Sequence, residues 1–97
     1  MSDKNVVYQA AISTYGARAQ TVMVMEEMAE LTKELSKNLR GADNVKQIAE
    51  EIADVRIMLE QMELLHNCAE IAANYKTVKI ERLAERLKEK INGFYKR

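Results

Sequence analysis

Proline and tryptophan are absent from this chain, glycine occurs three times, and cysteine and histidine occur once each. With so few helix breakers, long helices are the default reading. The lone Cys68 cannot close an intrachain disulfide, so a reducing, cytoplasmic setting is expected. Charge of one sign is also missing. Fifteen Lys plus Arg balance fifteen Asp plus Glu, which gives no sign of a nucleic-acid or membrane-surface partner. No stretch reaches roughly eighteen uncharged apolar residues, the length a membrane span needs. Met1-Ser2-Asp3-Lys4-Asn5 leads into no long apolar run, so no signal peptide is expected. A Gly-rich phosphate loop of the Gly-Lys-Ser type and a nucleophilic triad are both lacking.

What is there is apolar and charged in helical rhythm. At 47% apolar and 31% charged residues, the 97-residue chain reads as one globular domain over 1–97. A first helix is expected from about Lys4 to Tyr15, with Gly16 kinking the chain rather than ending the helix. A second runs from Ala17 to Leu39, where Val22, Met25, Met28, Leu31, Leu35 and Leu39 recur at three- and four-residue steps as a core stripe. Gly41 suits a left-handed C-terminal cap. Asn44-Val45-Lys46-Gln47 fits a capping box that starts a third helix. That helix is apolar on more than one face, which argues for an oligomer. Asn67-Cys68-Ala69-Glu70 fits a second capping box, opening a fourth helix that reaches about Ile91. Gly93 to Arg97 form a short tail. The expected fold class is all-α.

Two acidic pairs stand out in these helices. Glu27 and Glu30 lie in Met25-Glu26-Glu27-Met28-Ala29-Glu30-Leu31, and Glu51 and Asp54 lie in Ala49-Glu50-Glu51-Ile52-Ala53-Asp54-Val55. Three-residue spacing puts both members of a pair on one helix face. A single Glu-x-x-Glu is ordinarily a solvated, salt-bridged surface. Two pairs facing each other across an antiparallel second and third helix would instead gather four carboxylates. Glu34 extends the first row. Glu26 and Glu50 stand about 100° away around their helices. An oxygen-only ligand set suits Mg²⁺ or Mn²⁺ rather than Zn²⁺. Such a metal acidifies a bound water and clamps phosphate oxygens, so the implied chemistry is hydrolysis of a polyphosphate.

The order Glu26-Glu27-x-x-Glu30, about twenty residues, then Glu51-x-x-Asp54 resembles the signature of the MazG-type family of all-α nucleoside triphosphate pyrophosphohydrolases. The resemblance extends from about Tyr15 through Arg86. It implies a four-helix MazG-like bundle assembling as a homodimer or homotetramer with a composite site. It implies Mg²⁺-dependent hydrolysis of an NTP or dNTP between the α and β phosphates, giving a nucleoside monophosphate and pyrophosphate. By the same resemblance, Glu27, Glu30, Glu51 and Asp54 hold the metals, and Glu26 is an auxiliary catalytic carboxylate. Lys79 and Arg82 are the candidates for meeting the phosphates, with Lys76 and Arg86 on the same face. Ordinary solvated charge is the competing role for all four cations.

Gln20 and Tyr15 precede the first acidic pair and can face a nucleobase, Gln20 through edge hydrogen bonds, with core packing as the alternative. Asn74 is open in the same way. Glu63-Leu64-Leu65-His66 has the Glu-x-x-His spacing of di-iron carboxylate bundles, but one copy per chain needs a dimer to supply the second. His66 otherwise suits a helix C-terminus. The rival readings are a non-catalytic helical interaction protein, a phosphoribosyl-ATP pyrophosphohydrolase-like activity and a di-iron protein.

Overall fold

A computed structural model of the chain describes residues 3–91. The expected tail at Gly93 to Arg97 lies outside the described residues. Four helices and no strand occupy this range: α1 (Lys4–Tyr15), α2 (Ala17–Leu39), α3 (Val45–Leu65) and α4 (Ala69–Ile91). The chain divides into two compact units, one up to Asn67 and one from Cys68 onward.

In the first unit α2 and α3 pack along their length as an antiparallel pair, and α1 lies against both. The Asp3 carboxylate caps α1 by accepting from the Asn5 amide at 2.9 Å. Gly16 ends the helix rather than kinking it. At φ +95° and ψ 150° it leaves helical space, where only a residue without Cβ sits at ease, and its amide closes the last turn on the Ile12 carbonyl. Tyr8 fastens α1 down: its side chain is buried, and its hydroxyl donates to Glu60 Oε1 on α3 at 2.6 Å. Lys4 holds the other oxygen of Glu60 at 3.2 Å.

The α2–α3 turn is a Schellman motif. Gly41, at φ +99°, donates to the Asn38 carbonyl and Ala42 donates to the Lys37 carbonyl, satisfying the last carbonyls of α2. Asn44 takes the N-cap position of α3 but forms no capping box. Its side-chain amide donates instead to the Glu34 carbonyl at 2.9 Å and to Glu34 Oε1 at 2.8 Å, while its own oxygen accepts from Asn38. A local cap gives way here to a buried link that ties the start of α3 to the end of α2. The second capping box is also absent as drawn. Asn67 lies in the left-handed region at φ +51°, a conformation Asn tolerates, and terminates α3. Cys68 then precedes the first residue of α4 and accepts from the Ala72 amide through its carbonyl.

The buried face of α2 is not the stripe that apolar periodicity selects. Val22, Met25, Met28, Leu35 and Leu39 are exposed, Leu39 at 88%. The row that turns inward is Gln20, Val24, Glu27, Leu31 and Glu34, spaced by four and three. On α3 the inward residues are Val55, Met58 and Gln61, with Ile48, Glu51, Asp54 and Met62 partly covered. The seam between the two helices therefore carries polar side chains at its centre and at both ends.

The second unit is α4. Glu70 in its first turn and Lys88 and Lys90 in its last match the helix dipole. Its apolar residues Ile71, Tyr75, Val78, Ile80, Leu83 and Ile91 are exposed.

Candidate metal centre

Three polar layers cross the α2–α3 seam. At one end Gln20 Nε2 donates to Gln61 Oε1 at 2.7 Å, both side chains buried. At the other, Glu34 takes the Asn44 amide on one oxygen and Lys37 at 3.3 Å on the other. The Asn44 bond holds the Glu34 carboxyl below its ordinary range against the opposing effect of burial, with Lys37 assisting. Both end layers are thus supplied with donors.

The middle layer is not. Glu27 on α2 and Glu51 and Asp54 on α3 bring one carboxylate oxygen each within 4.8 Å of one another. All three side chains are partly covered. Glu51 Oε1 is buried and meets no hydrogen-bond donor among the described residues. Burial and then the neighbouring Asp54 charge push the Glu51 carboxyl upward, with Glu27, Glu30 and Glu50 adding to the effect. Burial also leads the upward shift of Glu27, followed by Asp54, Glu30 and Glu26. A carboxylate without donors beside two like charges is costly, and the cost falls if a cation enters the cluster.

The donor set fits a hard cation. It is all oxygen, it comes from two helices, and it leaves a buried oxygen unclaimed. Mg²⁺ and Mn²⁺ take such ligands, whereas a structural zinc site draws on Cys and His.

The other sequence candidates fall in different places. Glu30 is exposed and lies outside the tight cluster, though its charge reaches both Glu27 and Glu51. Glu26 and Glu50 are exposed. Gln20 is buried against Gln61. His66 is exposed at the C-cap of α3, not inward as a di-iron site needs. Tyr15 is exposed. In the second unit Lys79 and Arg82 are exposed one turn apart on α4, and Lys79 borders an apolar face with Tyr75, Ile80 and Leu83. Sequence reading missed Gln61, Asn44 and Glu60 as partners. The first two lie on or beside the α3 stripe, but only the pairing of α2 with α3 reveals what they hold.

Comparison with protein-family models, curated proteins and solved structures finds no match for this chain. Among the described residues no helix is long and apolar enough to cross a membrane.

Proposed function

We propose that this chain is a divalent-metal-dependent hydrolase of the MazG-like type, cleaving a nucleoside triphosphate between the α and β phosphates to give a nucleoside monophosphate and pyrophosphate. The observation that carries the reading is the middle layer of the seam: Glu51, with one buried oxygen that meets no donor among the described residues, clusters with Glu27 and Asp54 between two layers held by hydrogen bonds. Glu27, Glu51 and Asp54 would hold Mg²⁺ or Mn²⁺, with Glu30 contributing charge from the rim. Bound there, such an ion supplies Lewis acidity and neutralises phosphate charge.

The chain's own residues have distinct parts in this reading. The three clustered carboxylates would fix the place of the cation, which would offset their repulsion of the substrate's phosphates. Glu26, beside Glu27 and open to solvent, is the auxiliary carboxylate that can take up a proton. Lys79 and Arg82 are exposed cations on α4, and the family resemblance alone names them as candidates for meeting phosphate. The cytoplasm keeps Cys68 reduced. The assembly is a homo-oligomer: the exposed stripe of Val22, Met25, Met28, Leu35 and Leu39 on α2 is apolar surface that one copy leaves uncovered. The same stripe is the observation that favours the rival, a non-catalytic helical interaction protein.

A panel of ribo- and deoxyribonucleoside triphosphates with Mg²⁺ separates the two. Pyrophosphate release, lost in Asp54→Asn, is the expected result. Orthophosphate release would place the cleavage at the γ phosphate and refute the proposal, and absence of any turnover would favour the interaction protein.

A further inference from the structure

Gln20 and Gln61 have a chemistry that packing alone does not ask for. Their relative exposures are 6% and 5%, and Gln20 Nε2 reaches Gln61 Oε1 at 2.7 Å. The Gln61 amide nitrogen turns to the Met58 sulfur at 3.7 Å, a weak acceptor. Two apolar side chains of similar volume would fill this space without desolvating two amides, and such replacements are often neutral or stabilising. What an amide pair adds is direction. Sliding one helix along the other by about 1.5 Å, the rise of one residue, breaks a short hydrogen bond, whereas dispersion contact between apolar side chains falls off gradually.

The pair's place gives that direction a use. Gln20 stands seven residues before Glu27, and Gln61 seven after Asp54. Seven residues are close to two helical turns, so each glutamine shares a face with the carboxylate on its own helix. Fixing Gln20 against Gln61 therefore fixes Glu27 against Asp54. The middle layer needs such fixing, because three carboxylates within 4.8 Å repel one another and favour any slip that separates them.

We propose that Gln20 and Gln61 are positioning residues for the carboxylate centre: their hydrogen bond sets the α2–α3 register at which Glu27, Glu51 and Asp54 converge. Gln20 is thereby committed to Gln61 rather than to a nucleobase. The inference rests on the metal-centre reading above.

The test uses the full chain and two double variants, Gln20→Met with Gln61→Met and Gln20→Leu with Gln61→Leu. Each is melted without metal and titrated with Mn²⁺ by calorimetry beside the wild type. The expected result is a melting temperature no lower than that of the wild type, with Mn²⁺ affinity weakened about tenfold or more, as for other residues that orient metal ligands from outside the coordination shell. A merely structural role would leave the affinity of a folded variant unchanged. Unchanged affinity in a folded double variant overturns the positioning role and leaves the metal centre standing. Failure of both double variants to fold assigns the amides to stability and also overturns it. Absence of saturable Mn²⁺ binding in the wild type removes the metal centre and the inference with it.

Discussion

Glu27 and Asp54 approach within 4.8 Å across the α2–α3 seam, and burial followed by the Asp54 charge raises the proton affinity of Glu27. Two like charges held at a helix interface are a stored cost, and they make the metal-free fold less stable than its packing permits. Similar trade-offs between stability and function are common at sites that need charge in an unfavourable place.

Neutralising one member should therefore stabilise the empty protein. Glu51→Gln removes the charge with the buried, donorless oxygen and keeps the side-chain shape. Its metal-free melting temperature is expected to rise above that of the wild type, because relief of like-charge repulsion favours the folded chain. Saturating Mg²⁺ should raise the melting temperature of the wild type and leave that of Glu51→Gln unmoved. Differential scanning calorimetry of both proteins, with and without Mg²⁺, gives all four values.

The direction of the pH response follows from the same carboxyls. Glu27 and Glu51 are raised, so the folded chain takes up their protons at a higher pH than the unfolded chain does. Their ionisation penalty is present at neutrality and relieved as pH falls through the raised values towards the ordinary carboxylate range. Glu34 and Glu60 are lowered, and their contribution is present above the ordinary range and lost only as pH falls through the lowered values. The metal-free chain should accordingly be most stable in mildly acid solution, before Glu34 and Glu60 protonate. Metal should shift that optimum towards neutrality, because protons and the cation compete for Glu27 and Glu51. Melting temperatures across a pH series in the two conditions would show the shift.

The docking of α1 draws on two charge-assisted bonds to Glu60, an exposed one from Lys4 and a part-buried one from Tyr8. Glu60, through its hydrogen bond, pushes the Tyr8 hydroxyl up to about 12, with burial assisting. Tyr8→Phe keeps the ring and removes the bond, at an expected cost of about 1.5–3 kcal/mol for a hydrogen bond to a charged group. The bond is intact below the ordinary tyrosine range. Its contribution is lost as pH rises from that range through about 12, so the wild type should lose this advantage over Tyr8→Phe in alkali. Chemical denaturation at neutral and alkaline pH measures the difference.

The boundaries of the helices were legible because local chemistry sets them. Gly16 and Gly41 adopt backbone angles suited to glycine, and α1 ends one residue before Gly16 and α2 two residues before Gly41. Which face of α2 turns inward was not legible. Its apolar stripe and its polar row have the same period, and hydropathy selects the stripe whether or not α3 covers it. The structure buries the row with Glu27 instead. The capping box at Asn44 failed for a related reason. The local pattern offered the side chain a partner at Gln47, but Glu34, ten residues back in sequence, offered a buried charged one. Of the four carboxylates that the sequence gathers, the structure clusters Glu27, Glu51 and Asp54, which share one seam once α2 and α3 pair antiparallel. The looser place of Glu30 depends on the rotation of α2, which the spacing does not contain.

Calorimetric titration of the wild-type chain with Mn²⁺, with Asp54→Asn run beside it and circular dichroism recorded on both, tests the metal centre most directly. Saturable binding in the wild type, lost or weakened at least tenfold in an equally helical variant, is the expected result. No saturable binding in the wild type, or equal affinity in the two proteins, would contradict it.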